Sequence, residues 1–411
     1  MKSSVAKKPF VAIACGGTGG HLFPGLAVAE QLQRRGCEVA LLISPKDIDQ
    51  QAVKTAPGME VFTLPAVGLQ DRNYFSFAKS FGKSLFAARK IFKRRKPSAV
   101  LAMGGFTSAP PVLAGKLAGA KTFLHESNTI PGKANRLLAR FVDVAFTGFP
   151  EVAARLKARR TEITGTPVRP QFQIRDLGEC RVALGLDPNL PTILVVGGSQ
   201  GASALNEMIL SALPSLSAFQ FFHLTGAKDF EKVRAAYQTL QIRAVVKPFF
   251  AGMDLALGAA TVCVSRAGAS SLAEIAALRL PSVLVPLPTA ADNHQYFNAV
   301  AYEKTGAAHL IFNKQPAPKP AEDLMAKMLA GLVSRLVENA GERARMQSAL
   351  AQWHTPKSAE QIAARILESI AMLERRAPAR HVETDTCINA PSGCSALQPE
   401  NVTAQKTEPV K

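Results

Sequence analysis

The sequence predicts an α/β protein of two Rossmann-like domains, each with a parallel sheet, facing one another across a cleft. Three observations carry that expectation. Short aliphatic runs alternate with helical segments, the alternation restarts near residue 192, and each half opens with an apolar strand that runs into a glycine cluster and then a helix. The length agrees: 411 residues suggest two or three domains, and 47% hydrophobic with 19% charged residues describes a packed globular chain.

In the first half the strand-like runs are VAIAC from Val11, VALLI from Val39, VFTL from Val61, AVLAM from Ala99, TFLHE from Thr122 and VDVAFTG from Val142. A Pro- and Arg-punctuated stretch follows. The second half reads TILVVGGSQG from Thr192, FQFFHL from Phe219, AVVKPF from Ala244, TVCVS from Thr261 and SVLVPL from Ser282. Leu, Met, Ile and Ala then recur at three- and four-residue spacings over 320–338, 341–350 and 358–375, as in helices. The expected organisation is therefore a first domain over 1–165, a second over 166–377 that includes the terminal helices, and a polar tail over 378–411 expected to be disordered.

Composition narrows the function classes. Lys plus Arg exceed Asp plus Glu by 49 − 31 = 18, so the surface attracts an anionic partner: nucleic acid, acidic lipid or a phosphorylated substrate. Six cysteines without C-x-x-C pairing argue against a disulfide framework and a zinc site, and favour a reducing compartment. The apolar run Val11–Cys15 is too short for a signal-peptide core, and no uncharged apolar stretch reaches 18 residues. Membrane contact is expected to be peripheral.

Gly16, Gly17, Thr18, Gly19, Gly20 and His21 follow a buried strand, and Pro24 reads as a first-turn residue of the helix beyond. Glycines there let amides approach a phosphate, although neither the dinucleotide fingerprint nor a Walker loop is matched. Gly197 to Gly201 repeat the device, with the Ser199 hydroxyl able to donate to a diphosphate. In SRAGASSLAEI, Glu274 is either a helix acid favoured by the dipole or a chelator of a ribose diol. Asp292, Asn293, His294 and Gln295 form a polar cluster of the kind that binds sugar hydroxyls. His125, Glu126, Ser127 and Asn128 end a strand, where an N-cap competes with an acid–base pair.

Seven motifs in order, GGTGGH near the N-terminus, GGFTSAPP at Gly104, HESN at His125, GTPVR at Gly165, GGSQGA at Gly197, SRAGASSLAEI at Ser265 and DNHQ at Asp292, carry a resemblance. Over about residues 10 to 375 the chain resembles the bacterial peptidoglycan N-acetylglucosaminyltransferases of glycosyltransferase family 28, which convert lipid I to lipid II. That resemblance implies a GT-B fold and inverting transfer from UDP-GlcNAc to a polyprenyl-linked muramyl pentapeptide. It also implies no metal or other cofactor, no nucleic acid, and attachment to the cytoplasmic face of the bacterial membrane among cell-wall synthesis proteins. By the family's pattern Thr18, Gly19, Gly20, Asn128, Arg169 and Ser199 meet the donor's diphosphate and sugar. Ala269, Ser270 and Glu274 take the ribose, Gln295 the GlcNAc hydroxyls, and the main chain near Phe250 the uracil. His21 and Glu126 are the candidates for the base, and Arg169 or Arg266 can stabilise departing UDP. The alternatives are a GT-B glycolipid hexosyltransferase with another acceptor and a non-catalytic nucleotide-sugar binder.

Two local readings complete the picture. Residues 72–96 hold nine Lys or Arg, no acid and six aromatics, with Phe77, Phe81 and Leu85 at helical spacing, which reads as a surface helix dipping into an anionic leaflet. The D-x-D of Asp47, Ile48 and Asp49 reads as a solvated helix start and not as a metal site.

Overall fold

The computed structural model describes residues 8–17, 19–46, 49–50, 58–65, 74–197, 202–312 and 319–376. The first sheet has seven parallel strands in the order β3-β2-β1-β4-β5-β6-β7. They are β1 (Phe10–Ala14), β2 (Glu38–Ile43), β3 (Glu60–Thr63), β4 (Ala99–Ala102), β5 (Lys121–Glu126), β6 (Val144–Thr147) and β7 (Thr161–Ile163). The second has six, β10-β9-β8-β11-β12-β13: β8 (Thr192–Val196), β9 (Gln220–Leu224), β10 (Ala244–Lys247), β11 (Val262–Ser265), β12 (Ser282–Leu284) and β13 (His309–Leu310). Both orders reverse beside the first strand of their half, the switch point where doubly wound sheets open a crevice.

All eleven strands expected from the sequence form. β7 and β13 were not foreseen, because edge strands of three and two residues are too short to show a period. β1 is buried at every position and pairs with β2 and β4. Its side chains alternate: Val11 and Ile13 belong to one apolar cluster, Ala12 and Ala14 to the other.

The helices of the first half are α1 (Gly19–Arg34), α2 (Tyr74–Arg94), α3 (Ala109–Leu117) and α4 (Lys133–Leu138). Those of the second are α5 (Leu177–Ala183), α6 (Ser203–Ala212), α7 (Phe230–Thr239), α8 (Met253–Ala259), α9 (Ala269–Ala277), α10 (His294–Lys304), α11 (Lys319–Glu338), α12 (Ala340–Trp353) and α13 (Ser358–Arg376). Asp176 caps α5 through Glu179 N at 2.8 Å, and Asn339 caps α12 through Glu342 N at 2.9 Å. The sequence grouped α13 with the second domain. Its stripe of Ala359, Ile362, Ala363, Ile366 and Ile370 instead packs into the cluster of Val11, Ile13 and Leu41, and Glu360 pairs with Arg35 of the first half at 3.1 Å. Periodicity shows that a stripe exists but not which sheet it covers.

Two further expectations change. Pro24 is interior to α1, five residues beyond its first residue Gly19, and not in the first turn. On α2, Phe81 and Leu85 pack against the core and Phe77 lies edge-on to Phe106 at 5.4 Å, so that stripe is core. The apolar side chains α2 does expose are Phe75 (83%) and Phe86 (73%), with Leu117 of α3 (69%) nearby. Cys15, Cys37, Cys180 and Cys263 are buried free thiols, and burial pushes each thiol up. The tail over 378–411 lies outside the described residues.

Candidate active site in the interdomain cleft

The glycine loop after β1 is held from below. Gly17 N donates to Asp49 Oδ2 at 2.7 Å, and the same oxygen accepts from Ser44 N at 3.2 Å and Ser44 Oγ at 2.5 Å. Lys46 Nζ donates to Gly17 O at 3.1 Å and Thr107 Oγ1 to Gly16 O at 2.8 Å. Asp49 is therefore buried beneath the loop, not solvated as its sequence context suggested. Asp47, Ile48 and Thr18 lie outside the described residues. Gly19 and Gly20 begin α1 and carry His21 to the cleft, where its ring lies against Gly104 and Gly105 of the second glycine-rich turn. Gly104 has φ +123°, and a Cβ there would stand 2.8 Å from His21 Nε2, so no other residue fits. Burial pulls the imidazole down to about 4; Asp49 opposes this, while His294 and Lys46 add to it. His21 is thus neutral at pH 7, the form that accepts a proton.

The two carboxyl-end residues of β5 differ in role from His21. His125 is fully buried, with Nε2 on the Gly165 carbonyl at 2.9 Å and Nδ1 beside Ser127 Oγ at 3.1 Å. Glu126, 2% exposed, accepts four hydrogen bonds. Oε1 takes Asn128 N (2.9 Å) and Asn128 Nδ2 (3.1 Å), and Oε2 takes Gly132 N (2.9 Å) and Asn135 Nδ2 (2.8 Å). A carboxylate so engaged organises the 126–135 loop and has few lone pairs left for an incoming proton. Asn135 and His21 both abut Gly104, so this loop borders the base candidate.

Across the cleft, Gly268 N-caps α9, which carries Ala269, Ser270 and Glu274. Burial pushes the Glu274 carboxyl up to about 7; Arg169 works against the shift and Asp254 with it. Arg169 is 7% exposed, its guanidinium 4.6 Å from the Phe23 ring centroid and 5.3 Å from that of Phe172. Its Nε has no partner among the described residues. Arg266, with Arg169 a candidate to stabilise departing UDP, bonds the main chain through Nη1, which donates to Val285 O at 2.9 Å and Pro286 O at 3.1 Å and braces the β11 turn against the exit of β12; its Nε has no partner among the described residues. Burial lowers its guanidinium to about 10, still cationic at neutral pH. Gln295 Oε1 accepts from Leu287 N at 3.0 Å. Phe250 packs edge-on to Phe222 at 5.2 Å beyond β10. Ser199 lies outside the described residues.

Bonds between the halves join segments that follow the carboxyl ends of both sheets. Ser270 Oγ donates to Gly20 O at 2.8 Å. Pro24 has no N–H to offer that carbonyl four residues back, so the helix leaves it open to the other domain. Asn298 of α10, fully buried, accepts from Thr129 N and Thr129 Oγ1 at 2.9 Å each and donates to Asn128 Oδ1 and Ala267 O at 3.1 Å each. Arg136 pairs with Asp292 at 2.7 Å. Asp292 and Asn293 are successive left-handed residues, φ 51° and 53°, at the start of α10. Farther out, Trp353 stacks on Tyr302 at 4.4 Å and tilts against Phe149 at 5.4 Å. The sequence reading missed Asn298 and Arg136 and took Asp49 for a solvated helix-start acid. A faint signal existed for Asn298, which falls one helical turn after His294 on a face that also buries Ala299 and Tyr302.

Residues 11–147 match the glycosyltransferase family 28 N-terminal domain and residues 192–362 its C-terminal domain. A UDP-N-acetylglucosamine–N-acetylmuramyl-(pentapeptide) pyrophosphoryl-undecaprenol N-acetylglucosamine transferase of Anaeromyxobacter sp. (strain Fw109-5) is 35% identical over 85% of this chain and 91% of its own. The protein of that name from Pseudomonas fluorescens (strain Pf0-1) is 39% identical over 73% of this chain and 84% of its own. Among solved structures, Acinetobacter baumannii MurG superposes with a TM-score of 0.68 at 27% identity, covering 88% of this chain and all of the other. A UDP-N-acetylglucosamine 2-epimerase, TM-score 0.64 at 14% identity over 89% and 98% of the two chains, shares the fold alone. With both family domains matched in order on two facing parallel sheets, the chain belongs to glycosyltransferase family 28 and has the GT-B fold.

Proposed function

We propose that the protein transfers GlcNAc from UDP-GlcNAc to the MurNAc 4-hydroxyl of undecaprenyl-pyrophosphoryl-MurNAc-pentapeptide, converting lipid I to lipid II with inversion. The observation that carries this is the chain-long similarity to transferases named for that reaction. The cleft supplies matching chemistry. His21, neutral at pH 7 and walled by Gly104 and Gly105, takes the proton of the attacking hydroxyl. The sugar's anomeric carbon is attacked from the face opposite UDP. Charge gathering on departing UDP is met by the amides at the start of α9 and by Arg169, and Glu274 receives the ribose hydroxyls. Glu126 and Asn128 shape the loop beside the base, and Gln295 and the Phe250 main chain bind sugar and uracil.

The reading also places the protein peripherally on the cytoplasmic face of the membrane, close to other cell-wall synthesis proteins. No helix among the described residues is long and apolar enough to cross a bilayer. In support of a membrane face, Phe86 and Leu117 border a cavity of about 620 Å³ also lined by Arg89, Lys90 and Lys93. Purified protein incubated with labelled UDP-GlcNAc and a short-chain lipid I analogue is expected to yield the disaccharide product. Hydrolysis or transfer only to other lipid acceptors would favour a glycolipid hexosyltransferase, and UDP binding without turnover a nucleotide-sugar binder.

A further inference from the structure

Asp49 has no part in the donor or acceptor contacts described above, yet it is fully buried and aimed at the loop that launches His21. Its Oδ2 takes the Gly17 amide and two donors of Ser44, and its Oδ1 has no donor among the described residues. We propose that Asp49 is a positioning residue for the transfer: it clamps the Gly17 amide so that the loop presents His21 to the cleft, and its negative charge favours proton transfer onto that imidazole. The inference rests on the transferase reading with His21 as base.

Geometry and charge agree. Among the described residues, Asp49 and Lys46 from the segment after β2 and His294 from α10 act on His21, and His21 in turn acts on His125 of β5. Asp49 is the acid among these described groups and favours a proton on His21, while Lys46 and His294 oppose one. Lys46 holds the carbonyl of the same residue, donating to Gly17 O at 3.1 Å, so Gly17 is fixed through both its donor and its acceptor. The contact has a second consequence. An amide already bonded to a carboxylate is closed to a phosphate, and a diphosphate placed there would face a buried negative charge. The Gly17 amide therefore serves the base and not the donor's diphosphate.

Asp49→Asn keeps an acceptor for Gly17 and removes the charge. Expected are a kcat lower by on the order of tenfold, a KM for UDP-GlcNAc within about twofold, and an acid limb of the kcat profile moved to lower pH because His21 becomes less basic. Lys46→Gln is expected to move that limb the other way. In the wild type the Gly17 amide should be protected from hydrogen exchange, and its NMR shift should not move when UDP binds. An unmoved acid limb in both variants, or a Gly17 amide that shifts with UDP, overturns the proposal. Should Asp49→Asn not fold, the Lys46→Gln profile and the wild-type Gly17 amide still decide it. Because the amide readouts need no turnover, failure of the wild type to transfer GlcNAc would count against the transferase reading separately.

Discussion

Replacing Glu126 by Gln separates two roles that the sequence left open. The carboxylate accepts from Asn128 N, Asn128 Nδ2, Gly132 N and Asn135 Nδ2 at 2.8–3.1 Å; Glu126 and Asn135 are buried, Asn128 is half-buried and Gly132 is exposed. A glutamine offers one oxygen, so it keeps the pair at one side and turns an NH2 group toward the two donors at the other. A buried donor left unpaired costs about 1–3 kcal/mol, so with the part-exposed donors partly satisfied by water the total is about 1–4 kcal/mol. That is a large part of the roughly 5–15 kcal/mol that holds a domain together. Urea unfolding followed by far-UV circular dichroism, with Trp353 fluorescence reporting the interdomain stack, should therefore show a lower midpoint. UDP calorimetry and turnover on the same preparation complete the test. The reasoning is refuted if Glu126→Gln unfolds within about 0.5 kcal/mol of the parent, binds UDP as before and loses about a thousandfold in kcat, for then the carboxylate is the base.

Other outcomes follow from the same geometry. His21→Ala should lower kcat by about 10²–10⁴ while UDP affinity stays within about threefold; retained turnover removes His21 as the base. The Glu274 carboxyl stands near 7 in the fold against a usual 4.5, so the folded state holds a proton that the unfolded chain has lost between those values. Its contribution to stability is present below 4.5 and lost as pH rises through about 7, whereas UDP affinity, which needs the carboxylate, should rise over the same interval. Glu274→Gln should flatten that affinity profile in calorimetry; an unchanged slope refutes the ribose role. Gln at Lys90, Lys93, Arg94 and Lys96 should weaken binding to anionic vesicles by about 1 kcal/mol per charge and leave neutral vesicles nearly unaffected. Arg95 is kept in that variant because it is bonded to Glu38 and Glu60. Equal effects on both vesicles would make the patch merely apolar.

The fold was legible because parallel strands buried on both faces, such as FVAIA and TILVV, stand out as apolar runs, and each recurs before a glycine turn. The destination of α13 was not, since an apolar stripe does not name the sheet it will cover. Among the candidate site residues, His21, Arg169, Ser270 and Glu274 could be singled out from the sequence because turns at strand ends carry function and few residue types suit them. Asp49 was misread because burial of a carboxylate depends on donors 5 and 32 residues away. For Arg266, charge alone does not reveal that its Nη1 is bonded to the carbonyls of Val285 and Pro286. Phe77, Phe81 and Leu85 showed the right spacing on the wrong side of the helix, and the lysines between them could not say which face met water.

The proline within α1 has an implication for how the two halves meet. Were Pro24 an alanine, its restored amide would compete with the Ser270 hydroxyl for the Gly20 oxygen, and the rims of the two halves would lose a rivet. The substitution should straighten and stiffen the helix while letting the lobes swing farther apart. A change that strengthens one element would then loosen the whole jaw, visible as a larger radius of gyration in X-ray scattering of the nucleotide-free protein.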